Sequence, residues 1–279
     1  PYRDWVIHAF NQNLPLDQAL NPKKAKYDTR KLNWVGNSNR GNNVVMIWHT
    51  AGINSIEDAK KKDVYTSATG VTSTSVQYPR VLNNMFGTRF KIISGFGGGR
   101  ELNLAIERGE VQGRGSNAWA SIKASTPHYI KEKLVKIILQ MGLEREKDLP
   151  DVPLLIELAR NPAERRVLEL ISAGVDIGRP LVTTPGIPVE RLKLLRGAFD
   201  ATMKDPAFLA EAAKAKLDIN PLSGERVQAI VENIVTAPED IVALVKAAMT
   251  KGKVFDCKAT VKDPKLCAAP KKKKKKKSS

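Results

Sequence analysis

Along the chain the apolar positions change period several times, and each change marks an element. Trp5 to Phe10 is a short apolar run of strand type, followed by a polar loop at Asn11-Gln12-Asn13-Leu14-Pro15. Pro22 to Arg30 is a charged loop. Leu32 to Gly36 is a short strand, and the β-branched run Val44 to Trp48 is the best buried strand of this half. Ser55-Ile56-Glu57-Asp58 has the spacing of a capping box and opens a short lysine-rich helix. Val64 to Thr66 ends a strand that Ser67 to Gly70 interrupts. Tyr78, Val81, Leu82, Met85 and Phe86 then recur at helical spacing, up to a stop at Gly87. Phe90 to Ser94 is a strand running into Gly95 to Gly99. Arg100 to Arg108 is a helix with Leu102, Ala105 and Ile106 inward, stopped by Gly109. Val111 to Gly115 and Leu134 to Met141 are further strands. Leu154 to Ala159 is a helix, and Asn161-Pro162 opens another to about Ile171. Gly174 to Thr184 is extended and forms a crossover. Beyond Pro188 the pattern is helical: Arg191 to Met203, Pro206 to about Leu217, and two more helices opened by Ser223 and Pro238, the last ending near Gly252.

Strand–helix alternation through residues 64–142 implies an α/β fold with parallel strands. In such sheets ligands gather beyond the carboxyl ends of the strands. Three polar stretches lie there: Ser67 to Ser75, Gly95 to Gly99, and Gly115 to Asn117. In the first, the hydroxyls of Thr72, Ser73, Thr74 and Ser75 precede a helix, where unpaired backbone N–H groups and the positive helix end favour an anion. An ordinary Ser/Thr N-cap explains the same residues. The glycines of the second stretch allow close approach of a ligand to bare backbone, or serve only a tight turn. They fit neither a Walker A loop, since no GK[ST] follows, nor a dinucleotide fingerprint, since Arg100 stands at the third glycine. Arg114 either faces an anion or is a solvated arginine. Asn11 and Asn13 are amide donors or turn formers.

The 279 residues suffice for about two domains, and 42% hydrophobic with 27% charged residues is the balance of a globular protein. No apolar run approaches the ~20 residues of a membrane helix. Net charge is +17, but Lys251 onward holds 12 lysines against 2 aspartates, which leaves +7 for the rest. The nucleic-acid signal of a basic chain therefore sits mostly in the lysine run Lys271 to Lys277, whose self-repulsion predicts disorder. Both cysteines, Cys257 and Cys267, lie in this tail, as a small disulfide or as two free thiols. The chain starts at Pro1 with no signal-peptide h-region, which reads as a missing N-terminus. His8, His49 and His128 are isolated from one another, which argues against a metal site. There is no nucleophile elbow, and Glu101 and Glu107 fall on different helix faces. No catalysis, metal or cofactor is expected.

The order and spacing of several stretches resemble the substrate-binding proteins of tripartite tricarboxylate transporters, the Bug-type periplasmic receptors. They are LNWVGNSNR (32–40), SIEDAK (55–60), ATGVTS (68–73), YPR (78–80) with VLNNMFGTRFKIISGFGGG (81–99), LNLAIERGEVQGR (102–114), LPDVPLL (149–155), GRPLVTTPGIPVERL (178–192) and FDATMKDPAFLAEAAK (199–214). The resemblance covers roughly residues 2–250. It implies a two-domain α/β fold of the type II periplasmic-binding-protein kind that closes on a small carboxylate and delivers it to a membrane permease. The implied domains are 1–50 with 177–253, then 51–176, then a disordered basic tail over 254–279. The implied ligand residues are Phe10 and Asn11; Thr69, Gly70, Thr72 and Ser73; Phe96, Gly97 and Gly98; and Gly115, Ser116 and Asn117. The family's leader, first strand and Gly-rich loop are absent here, so the first domain is expected to be incomplete at its N-terminus. The lysine tail and its cysteines are foreign to the family.

The reading is a monomeric periplasmic receptor for a small organic anion held by neutral donors, with no specific nucleic-acid partner. Its rivals are a tail-driven binder of nucleic acid or acidic surfaces, and an α/β enzyme acting on a carboxylate.

Overall fold

Two sheets form among the described residues, 7–9 and 11–269, of the computed structural model. The chain begins with β1 (Ile7–Ala9), α1 (Leu14–Leu20), β2 (Asn33–Asn37), β3 (Asn43–Trp48), α2 (Ile56–Lys61), β4 (Val64–Ala68), α3 (Thr74–Phe86), β5 (Phe90–Ser94) and α4 (Gly99–Glu107). It continues through β6 (Gly113–Ala118), α5 (Trp119–Ser125), α6 (Pro127–Lys131), β7 (Val135–Met141), α7 (Pro162–Ile177) and β8 (Pro180–Thr183). It closes with α8 (Val189–Thr202), α9 (Pro206–Lys214), β9 (Leu222–Ser223), α10 (Gly224–Val235), α11 (Glu239–Met249) and α12 (Cys257–Thr260).

The larger sheet has the order β5-β4-β6-β3-β7. β4 pairs in parallel with both β5 and β6, as the alternating pattern predicted. β3 runs antiparallel to both β6 and β7, so β7 points the same way as β6. The carboxyl ends of β4, β5, β6 and β7 therefore share one edge with the start of β3. β3 belongs to this sheet although it falls within the 1–50 stretch assigned to the first domain. The smaller sheet, β1-β8-β2-β9, is antiparallel throughout.

Most elements form where the apolar pattern put them, but Leu14 and Pro15, read as loop, begin α1, α6 was not anticipated, and the helix expected over Leu154 to Ala159 is a 3-10 turn at Leu155–Leu158. Four further corrections bear on the site and the tail. The strand before the hydroxyl loop does not break at Ser67: β4 runs to Ala68, and Thr66, Ser67 and Ala68 are all buried. Gly115, Ser116 and Asn117 are not a loop but the second half of β6. A Cβ on Gly115 would lie 2.0 Å from Cγ of Pro79, so this glycine lets β6 approach α3. Helix α7 does not stop near Ile171 but runs to Ile177 and ends at Gly178 (φ +34°), where a Cβ would meet the Asn39 carbonyl oxygen at 2.0 Å. Gly174 is thus helical and not extended.

The fourth correction concerns the tail. Residues 254–269, assigned to disorder, fold back on the main core. Phe255, Cys257, Val261 and Cys267 are buried there, and a Cys257–Cys267 disulfide closes the segment. Asn84 on α3 secures it: its Nδ2 donates to the carbonyls of Ala248 (2.8 Å) and Thr250 (2.7 Å), and its own carbonyl accepts from Phe255 N–H (3.1 Å). The lysine run lies outside the described residues.

One large apolar core joins α3, α7, α10 and α11 to both sheets. A second cluster, with Val44, Met46, Ile106, Trp119 and Tyr129, packs on the other face of the larger sheet.

Candidate functional site

The edge shared by the strand ends opens into a cleft of about 320 Å³. One wall comes from the larger sheet, with Asn43, Thr69, Ser73, Thr74, Ser75, Gly99, Arg114, Ser116 and Asn117. The other comes from the segments flanking β2 and β8, with Asn39, Gly41, Gly178 and Arg179, and Gln12 joins the lining. Among the described residues no Asp or Glu is in the lining. Hollows of about 450 and 420 Å³ elsewhere are not at strand ends and hold mostly aliphatic side chains.

The hydroxyl cluster follows from the way β4 turns into α3. Ser73, at the N-cap position, is extended (φ −73°, ψ 153°) and caps nothing with its own side chain. Its Oγ lies 2.7 Å from Ser75 Oγ, and Ser75 Oγ accepts the Thr69 N–H at 3.3 Å. Across the turn, Ser116 Oγ donates to Thr74 Oγ1 at 3.2 Å. At the start of α3 the Val76 and Gln77 N–H groups both donate to the Ser73 carbonyl at 3.0 Å, and the helix supplies no acceptor for the Thr74 and Ser75 N–H groups. The result is a set of neutral donors at the positive end of a 13-residue helix.

Arg114 adds a full charge. β6 carries one residue more than β3 between the pairs Met46–Arg114 and Val44–Asn117. This bulge at Gly115–Ser116 brings Arg114 and Asn117 to one face, although three residues apart they would otherwise alternate. Arg114 is 9% exposed. Its Nη1 donates to Asn103 Oδ1 at 3.0 Å, while its Nε is buried without a partner. Burial lowers its pKa to about 10, and it remains a cation at neutral pH.

Of the residues expected from sequence, Thr69, Ser73, Ser116 and Asn117 are brought together in the cleft. Gly70 lies outside it, and its carbonyl accepts the Ser73 N–H at 2.9 Å as part of the turn. Asn11 and Thr72 line a separate hollow of about 180 Å³. Phe96 packs against the second apolar cluster. Gly97 donates its N–H to Glu101 Oε2 at 2.7 Å, and Gly98 is the N-cap of α4; neither reaches the cleft, where only Gly99 of that loop stands. Gly115 faces Pro79. Phe10 lies outside the described residues.

Sequence reasoning missed Gln12, Asn39, Asn43, Gly178 and Arg179 as lining residues. Thr74 and Ser75 belong to the hydroxyl run already noted. Asn43 is legible in hindsight, because it starts a strand antiparallel to β6 and so shares its far edge. Asn39 and Arg179 come from the segments flanking β2 and β8, and no local pattern carries that long-range approach. Among the described residues no group of three His, Cys, Asp or Glu side chains is placed to hold a metal, and no helix is long and apolar enough to cross a membrane.

No family model and no curated protein matches the chain by sequence. Solved structures do match it in fold. A TctC solute-binding protein from Polaromonas superposes with a TM-score of 0.62 at 18% identity, covering 87% of this chain and 79% of that one. The periplasmic binding protein BugD gives 0.60 at 18% identity, covering 89% and 79%. MatC from Rhodopseudomonas palustris, solved with bound malate, gives 0.57 at 16% identity, covering 85% and 78%. A further R. palustris protein, Rpa4515 with adipate, gives 0.60 at 14% identity, covering 86% and 78%. The chain therefore has the α/β fold of TctC- and Bug-type periplasmic binding proteins.

Proposed function

We propose that the protein is a non-catalytic periplasmic receptor that captures a small carboxylate in the cleft between its two sheets and delivers it to the permease of a tripartite tricarboxylate-type transporter. The observation that carries this reading is the convergence of Thr69, Ser73, Thr74, Ser75 and Ser116 at the start of α3, in a cleft lined by no carboxylate among the described residues. Such donors are already oriented by one another, so little ordering cost falls on binding. Proteins of the same fold have been solved with malate and adipate, which supports a carboxylate as the ligand class. The Cys257–Cys267 disulfide agrees with an oxidising compartment.

The test is a thermal-shift series with small carboxylates at low and high salt, with sulfate as control. At ~100 times its dissociation constant a ligand adds about 2.7 kcal/mol, which raises the melting temperature by several degrees. A shift with carboxylates but not sulfate, kept at high salt, is expected. A chain that melts cooperatively and responds to no carboxylate sinks the reading. The rival role of the lysine tail is separated by removing residues 270–279 alone, since residues 254–269 are part of the folded core.

A further inference from the structure

Within that reading of the cleft, Arg114 calls for its own explanation. Burying a guanidinium is costly unless an anion or a full set of acceptors meets it. Elsewhere the chain follows this rule: Arg196, with a 19% exposed side chain, bonds both Glu225 Oε1 and the Trp34 carbonyl at 2.9 Å. Arg114 is more deeply buried and has one neutral acceptor, Asn103 Oδ1. No ion pair forms to it among the described residues, and its Nε is unpartnered. It lines the cleft at the start of α4, where its Nη1 would stand 3.8 Å from a Cβ on Gly99. Two residues on, Ser116 belongs to the hydroxyl cluster at the start of α3. The two donor groups thus stand in one cleft, two residues apart on β6. One set is neutral and suited to a carboxylate; the other is a cation lacking its anion.

The geometry points to Arg114 as the residue that selects the ligand's charge: the cleft takes a short dicarboxylate, one carboxylate on the α3 hydroxyls and the second on the Arg114 guanidinium. Arg114 is then a specificity residue, and a ligand with one carboxylate replaced by a neutral group leaves the guanidinium buried and unpaired.

The experiment is calorimetric titration of the full chain with succinate, glutarate and adipate, each against its monomethyl ester. With wild type, the diacid of best-fitting length is expected to bind about 30-fold or more tighter than its ester, the factor associated with leaving one partner of a buried charge pair alone. Arg114→Met is expected to bring the ratio of diacid to ester affinity close to one. Arg114→Lys, which keeps the charge but loses the fork, is expected to retain part of the preference. If wild type binds diacid and ester equally, or if folded Arg114→Met keeps the wild-type ratio, the assignment to Arg114 is overturned while the receptor reading stands. If wild type binds neither diacid nor ester, both fall. If Arg114→Met fails to fold, the wild-type ratio together with Arg114→Lys decides: a ratio near one for wild type, or one untouched in the lysine variant, overturns the assignment.

Discussion

Two strand-to-helix turns sit side by side at the same sheet edge and behave differently. After β4, residues 69–73 lead into α3; after β5, residues 95–98 lead into α4. Both follow strands paired in parallel, both open helices, and both have a composition suited to anions. The first turns its hydroxyls toward the cleft. The second gives its Gly97 N–H to the protein's own Glu101, one turn into α4, and offers the cleft only Gly99. Glycine content makes a loop approachable, but a carboxylate four residues on occupies it. An anion loop is identified by what its donors already bond, more than by its composition.

The largest effect expected from testing this contrast concerns how α3 is held. Its far half is tied to the C-terminal segment through Asn84, and that segment is closed by the Cys257–Cys267 bridge. Replacing both cysteines by serine should cost about 3 kcal/mol of unfolding free energy for so short a loop. Chemical denaturation measures it. Carboxylate affinity of the folded fraction should stay within about twofold, because the start of α3 is unaltered; a loss beyond tenfold would mean that the site depends on the anchorage of the whole helix. Next in size is Ser75→Ala. It removes the acceptor of Thr69 N–H and the partner of Ser73 Oγ, in a residue 5% exposed. Thr69 N–H is only part-buried at the cleft, so losing its bond costs about 0.5–1.5 kcal/mol, and carboxylate affinity should fall by up to about tenfold. Unchanged affinity would move the site away from α3.

Much of the fold was legible because its strands are dense apolar runs. Val44 to Trp48 and Leu134 to Met141 became β3 and β7 within a residue of the expected bounds. What escaped the sequence depends on packing at a distance. Ser116 and Asn117 compose a loop by residue type, yet they continue the strand because β3 and α3 press against Gly113 and Gly115. Gly174 reads as a breaker, yet it lies inside α7 with ordinary space around it, since an added Cβ would meet the Gln12 carbonyl at 3.7 Å and Asn13 Oδ1 at 3.9 Å. In the C-terminal segment Lys258, Lys262 and Lys265 mask four buried side chains that the disulfide and Asn84 hold inward. The candidate site was half visible: its hydroxyls lie in one run, whereas Asn39 and Arg179 reach it only through the pairing of β2 with β8.

A smaller effect tests the opposite wall. Asp176, just before Gly178, has its pKa raised, mainly by burial and partly by Glu144, against the opposing pull of Arg40 and Arg226. A carboxyl whose folded pKa exceeds its unfolded one contributes stability that is complete below the unfolded value and lost as pH rises through the folded value. Asp176→Asn escapes that loss. The variant should match wild type below about pH 4 and melt higher at neutral pH. Denaturation curves at both pH values check this. A variant less stable than wild type at pH 7 would mean that the Arg40 and Arg226 attractions outweigh burial.

The smallest effect is the most direct test of the contrast between the turns. Glu101→Gln keeps the size and an acceptor but removes the charge at the start of α4; Glu101→Ala removes the acceptor and leaves the Gly97 N–H to solvent. A charged cap at an exposed helix start contributes about 0.3–1 kcal/mol, so both variants should lose stability in that range, alanine more than glutamine. If the turn after β5 is closed to ligand because it is self-capped and displaced from the cleft, neither variant should change carboxylate affinity by more than about twofold, a difference of about 0.4 kcal/mol. A tenfold gain in Glu101→Ala would show the opposite: that Glu101 competes with the ligand for this turn, and that the two turns are equivalent anion loops, one of them occupied by the chain's own carboxylate.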